Sequence, residues 1–226
     1  MRTRIGVRII LGTALVLALT IGAMAFLIVR AHRAELVGEL TQSADHLNET
    51  IKSSMHDDML ENRRDRLHRQ IEILGRQPGI EKVRVFNKEG RVMLSSDPAE
   101  IGHSLDKRAE GCHVCHAGKT ARLSAEVAAR ARIVEHPGGG RVLGIISPIP
   151  NEPSCWTAAC HVHRRGEMVL GVLDVNVSLA RVDRTIARSR NRMVVLAALA
   201  MAASSLFLWW LNRRLVLSPV AALASA

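Results

Sequence analysis

The four cysteines of the chain all fall in two short stretches, Cys112-His113-Val114-Cys115-His116 and Cys155-Trp156-Thr157-Ala158-Ala159-Cys160-His161. In both, a histidine directly follows the second cysteine. Two thiols three positions apart lie on one side of a helical turn. They can form thioethers to both vinyl groups of one porphyrin, while the adjoining imidazole reaches the iron as proximal ligand. Cys112 and Cys115, with His116, have this spacing in full. Cys155 and Cys160, with His161, have four residues between the thiols instead of two, so the extra pair has to bulge out. Two covalently attached haem c groups are therefore expected. Two other chemistries fit four cysteines outside the cytosol: a pair of disulfides, or a zinc site drawing on Cys112, Cys115, Cys160 and a histidine. Neither accounts for the histidine that follows in both copies.

Any sixth ligand for either iron has to come from elsewhere in the chain, and a position left open would admit a diatomic gas. His103, in the loop before the first motif, and His163, two residues past the second, are the preferred pair. His113, His136, Met93 and Met168 have suitable chemistry too. Each also has an ordinary role, since a loop histidine is usually solvated and a strand methionine usually packs in a core. No arrangement typical of hydrolytic or nucleophilic catalysis is visible, so the chain is not read as an enzyme.

The elements that must position these residues begin with two apolar runs. Residues 9–29 are 21 consecutive uncharged positions between Arg8 and Arg30, and residues 193–211 supply 19 more, ending in Trp209 and Trp210 before Arg213 and Arg214. A bilayer needs about 20 such residues, and interfacial tryptophan followed by arginine is how a spanning helix tends to finish. Ala23-Met24-Ala25 resembles a signal-peptidase site, but the run exceeds the usual signal-peptide core, so an uncleaved anchor is expected. Of the formal charge of +10, much lies beside these runs, and aromatics are only 3% of residues, which argues against nucleic-acid binding. Haem attachment of this kind takes place outside the cytoplasmic membrane. The expected order is a cytoplasmic N-terminus (1–8), a first span (9–29), a periplasmic domain (30–192), a second span (193–211) and a juxtamembrane segment (212–226), all in the inner membrane.

Within the middle segment, residues 31–76 read as one long helix. Val37, Leu40, Ala44, Leu47, Ile51 and Ser54 recur at spacings of three and four, as in a coiled-coil seam. Pairing with a second copy and packing within the chain both fit this pattern. Gln77-Pro78-Gly79 ends the helix. Alternating β-branched residues predict strands at 80–86 and 91–96 around the turn Asn87-Lys88-Glu89-Gly90, then at 132–135, 141–149 and 168–177. Short helical composition precedes the third strand, and residues 178–192 read as a helix entering the second span.

A helix, the hairpin Val83-Arg84-Val85-Phe86-Asn87-Lys88-Glu89-Gly90-Arg91-Val92, and two long strands ending in Gly171-Val172-Leu173-Asp174-Val175 together resemble the extracytoplasmic PAS-like (Cache-type) sensor domain. The haem motifs make the chain similar to the members of that group that carry c-type haem. The resemblance implies an α+β fold, with a long N-terminal helix and an antiparallel PAS-like sheet between two transmembrane helices. The seam of the long helix further points to a homodimer, and the two spans point to contact with membrane lipid. Residues 212–223, with Pro219 and a leucine four positions later, resemble the start of a HAMP linker. That likeness implies a signalling module beyond residue 226, such as a histidine kinase or chemoreceptor, and detection of redox state or of a small haem ligand. The rival expectation is a membrane-anchored dihaem cytochrome that carries electrons between the quinone pool and periplasmic partners.

Overall fold

A computed structural model describes residues 2–105, 126–135, 139–158 and 163–214, with side chains from residue 12 onward except that of Asn212. The first haem motif, His136, Cys160, His161 and the HAMP-like stretch from residue 215 lie outside the described residues. The chain divides into two units, Leu36–Val182 and the pair of segments Met1–Glu35 and Asp183–Ala226.

The elements follow in the order α1 (Arg2–Leu60), α2 (Arg64–Gly75), β1 (Ile80–Asn87), β2 (Val92–Ser95), a 3-10 turn (Pro98–Glu100), α3 (Val127–Arg130), β3 (Ala131–Glu135), β4 (Arg141–Pro150), α4 (Pro153–Thr157), β5 (Val169–Ser178) and α5 (Ala180–Asn212). The fold is α+β. The five strands form one antiparallel sheet in the order β2-β1-β5-β4-β3. All five expected strands are present to within two residues at either end.

The expected helix over 31–76 is instead two helices. It breaks at residues 61–63, where Asn62 takes a positive φ of 55°. Asparagine tolerates this left-handed conformation because its short polar side chain compensates locally. The break redirects the chain so that α2, like α1, packs on the sheet: Leu67 and Ile71 join Ile51, Met55, Val83, Val85, Leu94, Leu173 and Val175 in one core. A second cluster joins Ala44 to Leu143, Ile145 and Leu179.

Along α1 the buried positions are Thr41, Ala44, Asn48, Ile51, Met55 and Asp58, again at spacings of three and four. The seam is thus used within the chain, against its own sheet, and its centre lies one position beyond the expected Leu47 and Ser54. Asn48 is fully buried there. Its Nδ2 donates to the Ile145 carbonyl at 3.3 Å and to Ser147 Oγ at 3.1 Å, which fixes α1 over β4. Arg130 adds a tie, donating to the Ile146 carbonyl and to Asp45 Oδ1, both at 2.9 Å.

In the other unit, α1 from Gly12 and α5 as far as Leu211 are each long and apolar enough to cross a membrane, and no residue of their most apolar windows is buried. Leu15, Leu19, Phe26, Leu196, Leu199 and Phe207 are all more than half exposed. At the end of α5, Arg213 and Arg214 place their guanidinium groups 5.5 and 5.4 Å from the Trp209 and Trp210 ring centres.

Candidate haem site beside Cys155

The second cysteine pair begins in the loop between β4 and β5. Pro153 opens α4, and Cys155 lies within it as a buried free thiol, 7% exposed. Asn151 closes the base of the loop. Its backbone N–H donates to the Met168 carbonyl at 3.1 Å, and its side-chain amide donates to the carbonyls of Arg164 and Glu167 at 2.9 and 2.8 Å. The loop is tied outward by Lys88 of the β1–β2 turn, whose Nζ donates to Glu167 Oε1 at 2.7 Å. That hydrogen bond holds the Glu167 carboxyl below the usual carboxylate range and lifts Lys88 above its ordinary value. His163 sits beside it, with Nδ1 3.8 Å from Glu167 Oε2.

Cys155 and His163 both line a cavity of about 780 Å³ between α1, α2 and the end of the sheet. Cofactor sites commonly occupy about 300–1,000 Å³. The lining mixes apolar side chains (Leu67, Val85, Leu94, Ile149 and Leu170) with the cations of Lys52 and Arg64 and the carboxylates of Glu49, Asp57 and Glu152, and Lys52 is paired with Glu49 at 2.7 Å. A porphyrin asks for apolar surface for its ring and for cations for its two propionates, and this lining meets the first need and only part of the second. His56, from α1, and His68, from α2, also line the cavity, as does Met93. Ser154 Oγ lies 3.3 Å from His56 Nε2. Among the described residues no three His, Cys, Asp or Glu side chains converge as a metal-chelating set. A haem supplies four of the iron's ligands itself and requires only one or two from the protein. Cys155, His56, His68 and His163 are donors of the types that a haem uses.

The other expected ligands lie elsewhere. His103 is exposed in the loop after the 3-10 turn, where its carbonyl accepts from Val92 N–H at 2.9 Å, and it is not in the cavity lining. Met168 is 57% exposed at the start of β5 and likewise lies outside the cavity, whereas Met93, at 44%, turns one side to it.

The opposite face of the sheet carries a charged cluster that periodicity alone does not reveal. Asp174, only 1% exposed, accepts from Arg84 NH2 at 2.6 Å and from Arg132 NH2 at 2.9 Å. Glu100 lies 3.7 Å from Arg84 and 2.7 Å from Lys82. Gly144 makes room for the second arginine, since a Cβ there would fall 2.9 Å from Arg132 Cζ. The available signal was the aspartate between Leu173 and Val175 in β5.

Comparison with protein-family models and with curated proteins finds no match for this chain.

Proposed function

We propose that the chain is the haem-carrying input region of a membrane-bound signal-transduction protein. In this reading the segment between the two apolar helices is a periplasmic PAS-like (Cache-type) domain in the inner membrane. Haem c is attached at Cys112 and Cys115 and at Cys155 and Cys160, with His116 and His161 as proximal ligands. When bound, haem supplies an iron whose redox state or vacant position responds to the surroundings. The chain's part is to convert that response into a change at its membrane helices.

The observation that carries the reading is the continuity of both ends of the sheet domain with the apolar helices. α1 runs unbroken from its apolar stretch to the face that packs on the sheet. β5 follows the Cys155 loop directly and reaches α5 with only Leu179 between them. Coupling of about 1–3 kcal/mol between a haem state and a helix arrangement is the usual scale of such linkage. An antiparallel sheet with a long helix against one face supports the PAS-like assignment, and the HAMP-like segment around Pro219 would carry the signal onward. A simple electron carrier has no need of this continuity.

The test is a visible spectrum of the full chain, purified from a host with haem-attachment machinery, recorded oxidised, reduced and with carbon monoxide. Two haems per chain are expected, falling to one in Cys112→Ala/Cys115→Ala and to one in Cys155→Ala/Cys160→Ala. Absence of a Soret band overturns the reading. A signalling module encoded after residue 226 is expected on the sensor reading. Rapid reoxidation by a soluble periplasmic cytochrome, without any such module, would favour the carrier.

A further inference from the structure

α5 is 33 residues long, and about 20 residues suffice to cross a bilayer. With residues 193–211 as the apolar run, the first turns of the helix, residues 180–192, stand outside the hydrocarbon. Those turns carry Arg181, Arg184, Arg188, Arg190 and Arg192 against a single acid, Asp183, in the first turn. All five arginines are exposed. At about 100° per residue, Arg181, Arg184, Arg188 and Arg192 share one face within an arc of about 80°, and Arg190 lies opposite. Arg184, Arg188 and Arg192 are therefore successive like charges four residues apart, a spacing that weakens a helix unless an anion lies among them. α2 shows the ordinary solvated pattern instead, with Glu72 one turn before Arg76 and 3.8 Å from it. Nor does topology call for these cations, because in the orientation proposed above they lie on the outer side, which the arginine bias of membrane proteins does not favour.

Depth separates the five. The headgroup layer adds about 5–8 Å to the hydrocarbon on each side. By the rise of the helix, Arg192, Arg190 and Arg188 stand about 2, 5 and 8 Å beyond Met193, within that layer, and Arg184 and Arg181 stand above it. Lipid phosphates occupy the same layer, and guanidinium groups hold phosphate oxygens in paired hydrogen bonds. The other end of α5 is finished differently, with Arg213 and Arg214 against Trp209 and Trp210. Residues 180–192 contain no aromatic side chain, so this end relies on charge alone. Resting on the membrane-spanning reading above and not on the haem, we infer that Arg188, Arg190 and Arg192 form a collar that binds anionic phospholipid headgroups at the outer end of the second span. Because Arg190 faces away from the other two, the collar draws phosphates to both sides of the helix and fixes its depth in the bilayer.

The experiment places the full chain in phosphatidylcholine vesicles and compares, by electron paramagnetic resonance, how strongly it immobilises spin-labelled phosphatidylglycerol and spin-labelled phosphatidylcholine. The wild type is expected to favour phosphatidylglycerol several-fold at low salt and less so at high salt, since screening weakens exposed charge. Arg188→Gln/Arg190→Gln/Arg192→Gln should lose most of that preference while still immobilising phosphatidylcholine, which shows that the variant is inserted. Lysine at the same three positions should keep part of it, because the charge remains and the paired hydrogen bonding does not. Arg69→Gln/Arg76→Gln/Arg165→Gln removes equal charge from exposed positions on α2 and the β4–β5 loop and should leave the preference intact. If the Arg188, Arg190 and Arg192 variant keeps the wild-type preference, or if Arg213→Gln/Arg214→Gln alone abolishes it, this inference falls and the spanning assignment stands. If the wild type immobilises neither labelled lipid, the chain is not embedded in the bilayer and both fall.

Discussion

Asp174 brings a carboxylate into the middle strand of the sheet, where it is almost entirely shielded from water. It is tolerable there because Arg84 and Arg132 both donate to it. Removing one partner of a buried pair leaves uncompensated charge, at about 3–5 kcal/mol. Asp174→Ala is therefore expected to lower the stability of the detergent-solubilised chain by that order in denaturant unfolding. A double variant, Asp174→Leu with Arg132→Leu, should recover much of the loss. The Lys88–Glu167 bridge has a different dependence. Because the Glu167 carboxyl is depressed in the folded chain, its contribution is present above the unfolded carboxylate pKa and is lost as pH falls through the folded value. Because Lys88 is raised, its contribution is present below the unfolded lysine pKa and is lost as pH rises through the folded one. The stability difference between wild type and Lys88→Met should thus be greatest across the neutral range and vanish at both extremes. A difference that is flat with pH would show that the lysine acts through packing alone.

Among the elements, strands were readable because Val83, Val85, Leu173 and Val175 alternate with polar or charged neighbours, and one face of the sheet is buried against helices. The α1–α2 break was not readable. Glu61-Asn62-Arg63 contains neither proline nor glycine, and only tertiary packing of Leu67 and Ile71 makes the turn worthwhile. The candidate site was half legible. Cys155 is marked by its motif and His163 by its nearness to it, whereas His56 and His68 are about a hundred positions away in sequence and come near only because α1 and α2 lie over the sheet. Close packing at the cavity's edge gives a further prediction. A Cβ at Gly171 would fall 2.3 Å from the Phe86 carbonyl oxygen. Gly171→Ala should therefore force β1 and β5 apart there, at about 1–3 kcal/mol of overpacking, seen as a lowered unfolding midpoint.

For the whole molecule, the decisive property is that its most apolar helical windows are bare. Exposed apolar surface on that scale marks a membrane or a partner, and the tryptophan–arginine pairs at the end of α5 fit a lipid interface. The chain is expected to sediment with membranes and to resist extraction at alkaline pH while dissolving in detergent. Release by alkali alone would remove the spanning assignment.

The junction at Leu179 has one more consequence. This residue is fully buried, its N–H bonded to the Arg141 carbonyl at 2.8 Å, and Ser178 N–H is bonded to Gly79 at 2.8 Å. The start of α5 is thus held to the sheet by these two hydrogen bonds, and on the sensor reading proposed above the signal passed to α5 would include an angular phase. An alanine inserted after Leu179 would turn the following helix by about 100°, and four would return it to within about 40° of its original setting. In a protein bearing an output module, signalling plotted against the number of inserted residues would rise and fall with the helical repeat. A junction that passes on only axial displacement would instead show a steady decline.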